Sequence, residues 1–524
     1  MKFHVFRGTL LAAAALLFAQ MSGAQSWQMV GPRAMGMGGA GVATTYGPNA
    51  QYWNPAGLAR DTGRSNTGLS IAVSMEATKN VLENLRDLND MSAQYKSLRN
   101  DIINNQKVSG NDIRTIFRGL NHIARVIGDD MGAILNAEAG ISAKMKNFYV
   151  GARSLGTGSI FPIVDTKNIQ FNTAGAGLLL GDPFATLTTS NQIAADDLAA
   201  AIDEYGIFEA LKQLFDATSC DDSNQLAVAL VDAAASFGAS EMDIWVAIHE
   251  AIDNMDGASN ILTRYAQATG SYKDNETLVI AEGAAFTEIG LGYGTEVFPG
   301  VKVGGNVKVI SGYTAQSGIM VLQDHDEIKD ILNRTRHNKK NTTNLGLDVG
   351  ALVNLSQLLD KEIKGNPQLG LTARNINGPK FSRPGAPVGT NPAIVDNWRS
   401  GSYQLKPQLR AGAAVSPFTW MTAAADIDVT KNDTLVYSLK SRQLALGVEF
   451  NLVNGQRFQV PLRLGYNKNI AESEVSPFYT AGIGLNMRHF YVELAGAMSR
   501  KTTRVDGHTI PNSAAASLTL GFLL

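Results

Sequence analysis

One cysteine, Cys220, stands in 524 residues. A lone thiol excludes an internal disulfide framework, a CxxC redox pair and a cysteine-rich zinc site. A small side chain on a helix is its plain reading, against a catalytic thiol. Histidine is scarce as well, seven in the chain and none clustered. His249-Glu250 lacks the second histidine four residues on that a zinc-protease helix carries. Charged residues make up 18% and the net charge is −2, which gives no support to a nucleic-acid-binding surface. Long apolar runs are also missing: beyond the N-terminus no segment reaches the ~18 consecutive apolar residues that suggest a transmembrane helix. If the chain spans a membrane it must do so as a closed barrel. No paired carboxylates and no Ser-His-Asp set stand out, so the sequence offers no catalytic residue, no metal site and no cofactor. Asp324, Asp326 and Glu327 read as a solvated acidic turn rather than a cation site. Asn275-Glu-Thr277 and Asn341-Thr-Thr343 match a glycosylation sequon, a pattern too short to carry weight alone.

The N-terminus reads as a secretory signal peptide. Lys2 and Arg7 are its positive start, Thr9 to Ala19 its apolar run, and Ser22-Gly23-Ala24 its small residues before cleavage. Residues 1–24 are then removed, the mature chain starts at Gln25 with a net charge of about −4, and no cysteine follows to carry a lipid anchor. Glycine is plentiful, at 52 residues. Low charge with high glycine suits a protein that shows its surface to lipid and turns often, and equally a glycine-rich soluble β protein.

Alternation separates those two. Short segments of period two recur near 67–76, 136–146, 147–156, 278–292, 300–312, 344–354, 367–376, 404–416, 418–429, 440–450, 459–468, 477–487, 489–498 and 514–524. Val301, Val303, Val307 and Val309 alternate with Lys302, Asn306 and Lys308. Leu405, Leu409 and Val415 alternate with Lys406, Gln408 and Arg410. Leu444, Leu446, Val448 and Phe450 alternate with Gln443 and Glu449; Val460, Leu462 and Leu464 with Arg463; Phe490, Val492 and Leu494 with Glu493. Each set is one face of a strand. Apolar outside with charges inside is the membrane-barrel pattern, which makes Lys302, Asn306, Lys308, Lys406, Arg410, Glu449, Arg463 and Glu493 lumen-facing. A β-sandwich alternates too, but buries its apolar face. Connections also sort by length: short ones such as Lys146-Asn147, Phe298-Pro299-Gly300 and Met487-Arg488-His489 alternate with long ones at 77–135, 157–277, 313–343 and 377–403. Short turns at one rim and long loops at the other belong to an outer-membrane barrel. Leu518, Leu520, Phe522 and Leu524 end the chain in step, like the signal barrels present to their assembly machinery, with Leu where Phe is usual.

Two inserts change period. In 77–133, Val81, Leu85, Leu88, Tyr95, Leu98 and Ile102, then Ile113, Ile116, Phe117, Leu120, Ile123 and Ile127, recur at helical spacing. In 190–268, Leu198, Ile202, Leu211, Leu214, Leu226, Leu230, Ile244, Ile248 and Ile252 do the same, with helix starts at Asp221-Asp222-Ser223 and Ser240-Glu241. Their apolar stripes must bury against each other, as a cap over the barrel mouth, or against a partner protein. Another topology puts one insert inside the barrel.

The most distinctive stretch runs Gly31-Pro-Arg-Ala-Met-Gly-Met-Gly-Gly-Ala-Gly-Val-Ala43, followed by Asn54-Pro55-Ala56. Gly36, Gly38 and Gly41 match GxGxxG with Asp61 20 residues on, but no apolar strand precedes them and Gly47-Pro48 falls where the nucleotide-binding unit needs helix and strand. Glycines that let backbones pack closely are the better reading. The stretch Arg33 to Val42, with Asn54-Pro55-Ala56 before the first strand, resembles the FadL-like superfamily of outer-membrane barrels. Within it, the same start, the large helical insertion and Tyr403-Gln-Leu-Lys-Pro-Gln-Leu-Arg-Ala-Gly412 look most like the barrel-type conjugal transfer TraF-like family. The resemblance implies that the segment before the barrel enters the lumen as a plug, with Arg33, Gly36, Gly38, Gly39, Asn54 and Pro55 in plug or channel, and that hydrophobic small molecules pass. The better-known thioredoxin-type TraF of pilus assembly does not resemble this chain.

The expectation is therefore an all-β transmembrane barrel of about 14 antiparallel strands in the bacterial outer membrane. Residues 25–66 form an N-terminal plug and 67–524 the barrel, with α-helical insertions at 77–133 and 190–268. Its partners are outer-membrane lipid and either hydrophobic small molecules, as a passive channel, or a protein bound by the inserts of a non-transporting anchor. No nucleic acid is expected.

Overall fold

The computed structural model describes residues 26–60, 65–78, 132–163, 165, 167–168, 180–215, 217–236, 238–253, 255, 259, 262, 276–320, 338–385, 401–436, 439–455, 458–473, 475–505 and 508–523. The signal peptide, nearly all of the first insert, Asp61, Asn275, the Asp324–Glu327 turn and Leu524 lie outside the described residues.

In chain order the strands are β1 (Asn66–Ala77), β2 (Ala133–Met145), β3 (Phe148–Ile163), β4 (Leu278–Phe298), β5 (Val301–Met320), β6 (Lys339–Asn354), β7 (Gln368–Arg374), β8 (Lys380–Ser382), β9 (Ser402–Gln404), β10 (Gln408–Phe418), β11 (Met421–Asp428), β12 (Asn432–Asp433), β13 (Lys440–Ser441), β14 (Gln443–Asn454), β15 (Phe458–Asn469), β16 (Phe478–Met487), β17 (Phe490–Ser499), β18 (Thr502–Val505), β19 (His508–Pro511) and β20 (Ser513–Leu523). Six of them, β8/β9, β12/β13 and β18/β19, are small hairpins within loops, and the other fourteen close into one antiparallel barrel. Closure comes where β20 pairs with both β17 and β1, Leu518 lying opposite Leu494 on one side and Ile71 on the other. The fourteen expected strands are the fourteen observed.

Burial inverts the order of a soluble protein. Leu69, Ile71, Ile289, Leu291, Val307, Leu464, Ile483 and Leu494 face outward and stay exposed, while Glu138, Arg153, Glu288, Lys308, Asp348, Arg410 and Arg463 are buried inside. Each large apolar side chain left in water forfeits roughly 1.5–3 kcal/mol of burial energy, so an outer wall of them must meet lipid. A sandwich, which would bury that face, is excluded. Phe148, Tyr293, Phe298, Phe418, Trp420, Phe458, Phe490 and Phe522 are exposed near the short turns. They form the aromatic girdle that sits at a membrane interface. The tightest turns use left-handed backbone, Lys146 at φ 51° and Gly300 at φ 78°.

The opposite rim is covered by apolar loop residues. There the inward positions of β4 and β5 turn apolar, and Phe286 and Ile310 pack with Phe381, Tyr403, Leu405 and Leu435. Leu405 was expected on the lipid face. It instead precedes β10, which begins at Gln408 just after Pro407, and is buried in this rim cluster.

The second insert is helical as read: α3 (Thr189–Glu204), α4 (Phe208–Leu214), α5 (Ser223–Ser236) and α6 (Glu241–Asp253), following α1 (Pro32–Gly36) and α2 (Ala50–Trp53) near the N-terminus. Caps fix its starts. Thr188 accepts from Asn191 N, Asp222 Oδ1 from Gln225 N and Ser240 Oγ from Asp243 N. Its stripes bury against each other: Leu198, Ile202, Leu211, Leu226, Leu230, Ile244 and Ile248 share one core with Cys220. Burial pushes the Cys220 thiol up, which keeps it unreactive at neutral pH.

Candidate functional site: the occupied lumen

Residues 26–60 lie inside the barrel, bonded to strands around its wall. Two short helices and a 3-10 turn over Pro55–Ala59 compact the segment. Pro32 at the start of α1 and Pro55 at the start of the turn supply the fixed φ that such starts favour. Asn54 is fully buried: its Oδ1 accepts from Ala56 N, and its Nδ2 donates to Val42 O at 3.1 Å and to Ala351 O of β6 at 3.0 Å. Pro55 rests on bare wall, and a Cβ on Gly304 of β5 would fall 2.3 Å from its carbonyl oxygen.

The glycines of the motif face glycines of the wall. Gly38 has φ +67°, and a Cβ there would lie 2.4 Å from Tyr466 O; one on Gly465 of β15 would lie 2.2 Å from Gly38 N. Only two unsubstituted backbones can approach this closely. Gly38 N then donates to Thr480 Oγ1 at 3.0 Å, and its carbonyl accepts from Asn467 Nδ2 at 2.8 Å. Gly36 O accepts from Thr480 Oγ1, and Gly39 O from Arg410 Nη2.

Charge fastens the same segment. Arg33 donates through Nε and Nη2 to the two oxygens of Glu449, both at 2.9 Å, and through Nη1 to Thr44 O at 2.6 Å. Glu449 also accepts from Arg463 Nε at 2.7 Å, and Arg463 Nη2 reaches Glu493 at 2.7 Å. Four alternating charges thus run from the segment across β14, β15 and β17. Burial opposes the Arg33 charge, but the Glu449 carboxylate outweighs it and holds the guanidinium above its usual range. Among the described residues Arg60 has no such carboxylate beside it. Burial, with Arg33 nearby, lowers it to about 10, while it donates to Ala43 O and Gln368 Oε1.

A second fastening lies beside it, on β10 and β11. Asp426 Oδ2 accepts from Gly41 N and Val42 N, both at 2.8 Å, while Arg410 stands 3.6 Å from Asp426 and 3.3 Å from Asp428. Lys308 bridges Glu288 at 3.0 Å and Asp348 at 3.1 Å. Asn306 donates to Gln51 O at 2.7 Å, and Arg153 to Asn49 and Gln51 side chains. At the centre Trp27 stacks on Trp53 at 6.0 Å with Tyr52 edge-on. The Arg374 guanidinium lies 4.0 Å from the Tyr52 ring, and that of Arg410 5.4 Å from both tryptophans. Stacked and cation–π contacts of this kind make the centre a packed core.

Of the residues read as lumen-facing, Asn306, Lys308, Arg410, Glu449, Arg463 and Glu493 are brought together on this inner wall. Lys302 sits at the short-turn rim, paired with Glu296 at 2.6 Å. Lys406 does not join them: it precedes β10 and pairs with Asp433 of the β12/β13 hairpin at 3.4 Å. Sequence reading missed Asp426, Glu288, Asp348, Arg374 and Arg153, whose inward positions were the only signal, and Trp27, Tyr52 and Trp53, whose clustering beside the glycine motif was not used.

Two cavities flank the segment. One of about 220 Å³ near the short turns is lined by Arg33, Tyr46, Asn66, Tyr491 and Glu493, and one of about 40 Å³ on the other side by Trp27, Glu76 and Arg410; Trp53 lines both. Among the described residues no group of three His, Cys, Asp or Glu side chains could hold a metal, and no helix is long and apolar enough to cross a membrane.

A closed barrel with a lipid-facing exterior and an occupied lumen defines the class, an outer-membrane β-barrel protein. Residues 51–428 match the family described as "F plasmid transfer operon, TraF, protein", and the chain belongs to it. The chain also aligns with solved barrels. These include the toluene transporter TbuX of Ralstonia pickettii (11% identity, 95% of this chain and 99% of that one, TM-score 0.41). The P. putida toluene transporter TodX aligns at 8% identity, over 95% and 98% of the chains, with TM-score 0.38. A Pseudomonas aeruginosa FadL homologue aligns at 8%, over 96% and 99%, with TM-score 0.38. No curated protein matches the sequence.

Proposed function

We propose that this protein is a sealed outer-membrane anchor that carries a helical module on the cell exterior, with residues 26–60 as its plug, and that it serves conjugal transfer or surface contact. The observation that carries this reading is the fastening of the plug: Arg153 of β3 on Asn49 and Gln51, Asn54 on β6, Asp426 of β11 on the Gly41 and Val42 amides, and Arg33 on Glu449 of β14 grip it at four strands along the wall. An apolar molecule crossing this lumen would have to displace buried ion pairs, and breaking one by removal of a partner costs about 3–5 kcal/mol. The matched family span contains both inserts, which supports giving them the functional role. Conductance in planar bilayers tests it. The full chain should pass no steady current, and a stable open channel from the intact protein overturns the reading.

The two cavities favour a second reading, a passive channel for hydrophobic small molecules, because they leave Trp53 and its neighbours as the barrier between them. Liposomes carrying the protein should then take up fatty acids or small aromatics faster than empty vesicles; equal rates dismiss it.

A further inference from the structure

The second insert is acidic far beyond the rest of the chain. Residues 180–253 hold fourteen Asp and Glu against a single Lys212, leaving 44 Lys and Arg against 33 Asp and Glu elsewhere. One helix of this module has two apolar faces. On α6, Ile244, Ala247, Ile248 and Ala251 are buried in the module core, while Met242, Trp245 and Val246 stay 68%, 45% and 39% exposed. Positions 242, 245, 246 and 249 follow helical spacing, so the exposed residues form one continuous stripe with His249. The stripe is held rigid. His249 stacks on Trp245 with ring centroids 4.0 Å apart, and its Nε2 lies 3.4 Å from Asp197 of α3. A solvent-facing tryptophan and methionine on an ordered helix, rimmed by charge, is the composition of a contact surface.

We propose that this stripe docks a cationic amphipathic segment of a partner protein. The apolar residues supply the contact and the acidic rim, with Glu241 at the head of the stripe and Asp197 against His249, selects the charge. A lipid surface is the poorer occupant, because a module with thirteen net negative charges is repelled by anionic headgroups. The proposal rests on the anchor reading for its use in the cell, but the two fail separately, since conductance reads one and docking the other.

The test uses the full chain held in amphipol and a fluorescent amphipathic helical peptide of leucine and lysine. The same peptide with glutamate in place of lysine is the control. The lysine peptide should bind saturably and more weakly as salt is raised; the glutamate peptide should not bind. Trp245→Ala should weaken binding at least ~10-fold, as loss of an interface tryptophan does. Asp197→Asn with Glu241→Gln should reduce its salt dependence. All these positions are solvent-facing, and Cys220, buried in the module core, reports folding: it should stay equally slow to label in each variant. Equal binding of both peptides, no saturable binding, or unchanged affinity in Trp245→Ala overturns the proposal. So does association with phosphatidylglycerol vesicles that Trp245→Ala abolishes, which would make the stripe a membrane contact.

Discussion

Arg33 and Glu449 hold the same ion pair, yet losing one is not equivalent to losing the other. Glu449 accepts from two arginines, so Glu449→Ala strands Arg33 and half of Arg463 in a buried site. That should cost about 3–5 kcal/mol, whereas Arg33→Ala leaves Glu449 still paired with Arg463 and should cost about 1.5–3 kcal/mol. Urea midpoints from heat-modifiable gel migration should rank wild type above Arg33→Ala and that above Glu449→Ala; the reverse order contradicts the network. Arg33→Lys should not rescue, because one ammonium cannot donate in parallel to both oxygens. Gly38→Ala attacks the segment differently. Its Cβ would meet Tyr466 O at 2.4 Å in a backbone region that disfavours side chains. The substitution lies outside the barrel strands and is relieved when the segment lifts off β14 and β15, so the barrel should still fold while trypsin gains access to Arg60, seen as a new N-terminal fragment.

At the scale of elements, the module and the wall should fail independently. Ile248→Ala removes a fully enclosed side chain from the helical core and should destabilise the module by about 2–5 kcal/mol. Cys220, in the same core, should then react faster with a maleimide while the barrel keeps its heat-modifiable migration. On the wall, Leu464→Lys places a charge on the lipid face at a cost of about 2–4 kcal/mol near the bilayer midplane and should lower the urea midpoint without exposing Cys220. These elements were legible because periodicity is a local property: Val307 out and Lys308 in, or Leu198 and Ile202 one turn apart, are written in adjacent residues. Lys406 and Leu405 were misplaced because their alternation continues past Pro407, where the strand has already stopped. The inner network was half legible. That Glu449 and Arg463 face inward follows from alternation, and their register brings them together. That Arg33, 416 residues away, closes on Glu449 does not follow, since no local pattern encodes which wall a folded-back segment meets. The wall glycines at 304 and 465 mark where backbone can approach the wall closely, but not which residues do so.

For the whole molecule, closure and charge make one argument. The buried lumen holds seven cations outside the plug, Lys144, Arg153, Lys308, Arg374, Arg410 and Arg463 on the wall and Arg383 on Glu282, against eight carboxylates, Glu138, Glu282, Glu288, Asp348, Asp426, Asp428, Glu449 and Glu493. The plug offsets that excess, through Arg33 on Glu449, and two of its amides hold Asp426. Removing residues 26–60 therefore does two things at once: it empties a fourteen-strand lumen and leaves its buried charges one carboxylate in excess, with Glu449 short of one arginine and Asp426 short of two amides. The barrel strands pair without the plug, so the deleted protein should still show heat-modifiable migration. In planar bilayers it should conduct steadily, and because rings of side-chain charge set selectivity, the reversal potential in a salt gradient should favour cations. Lysine at Asp426, which faces this lumen, should shift that potential toward anions. A deletion that folds yet stays silent would mean that loops at the far rim, where Phe286, Phe381 and Tyr403 pack, form a second seal. Anion preference would place the acidic excess away from the conducting path.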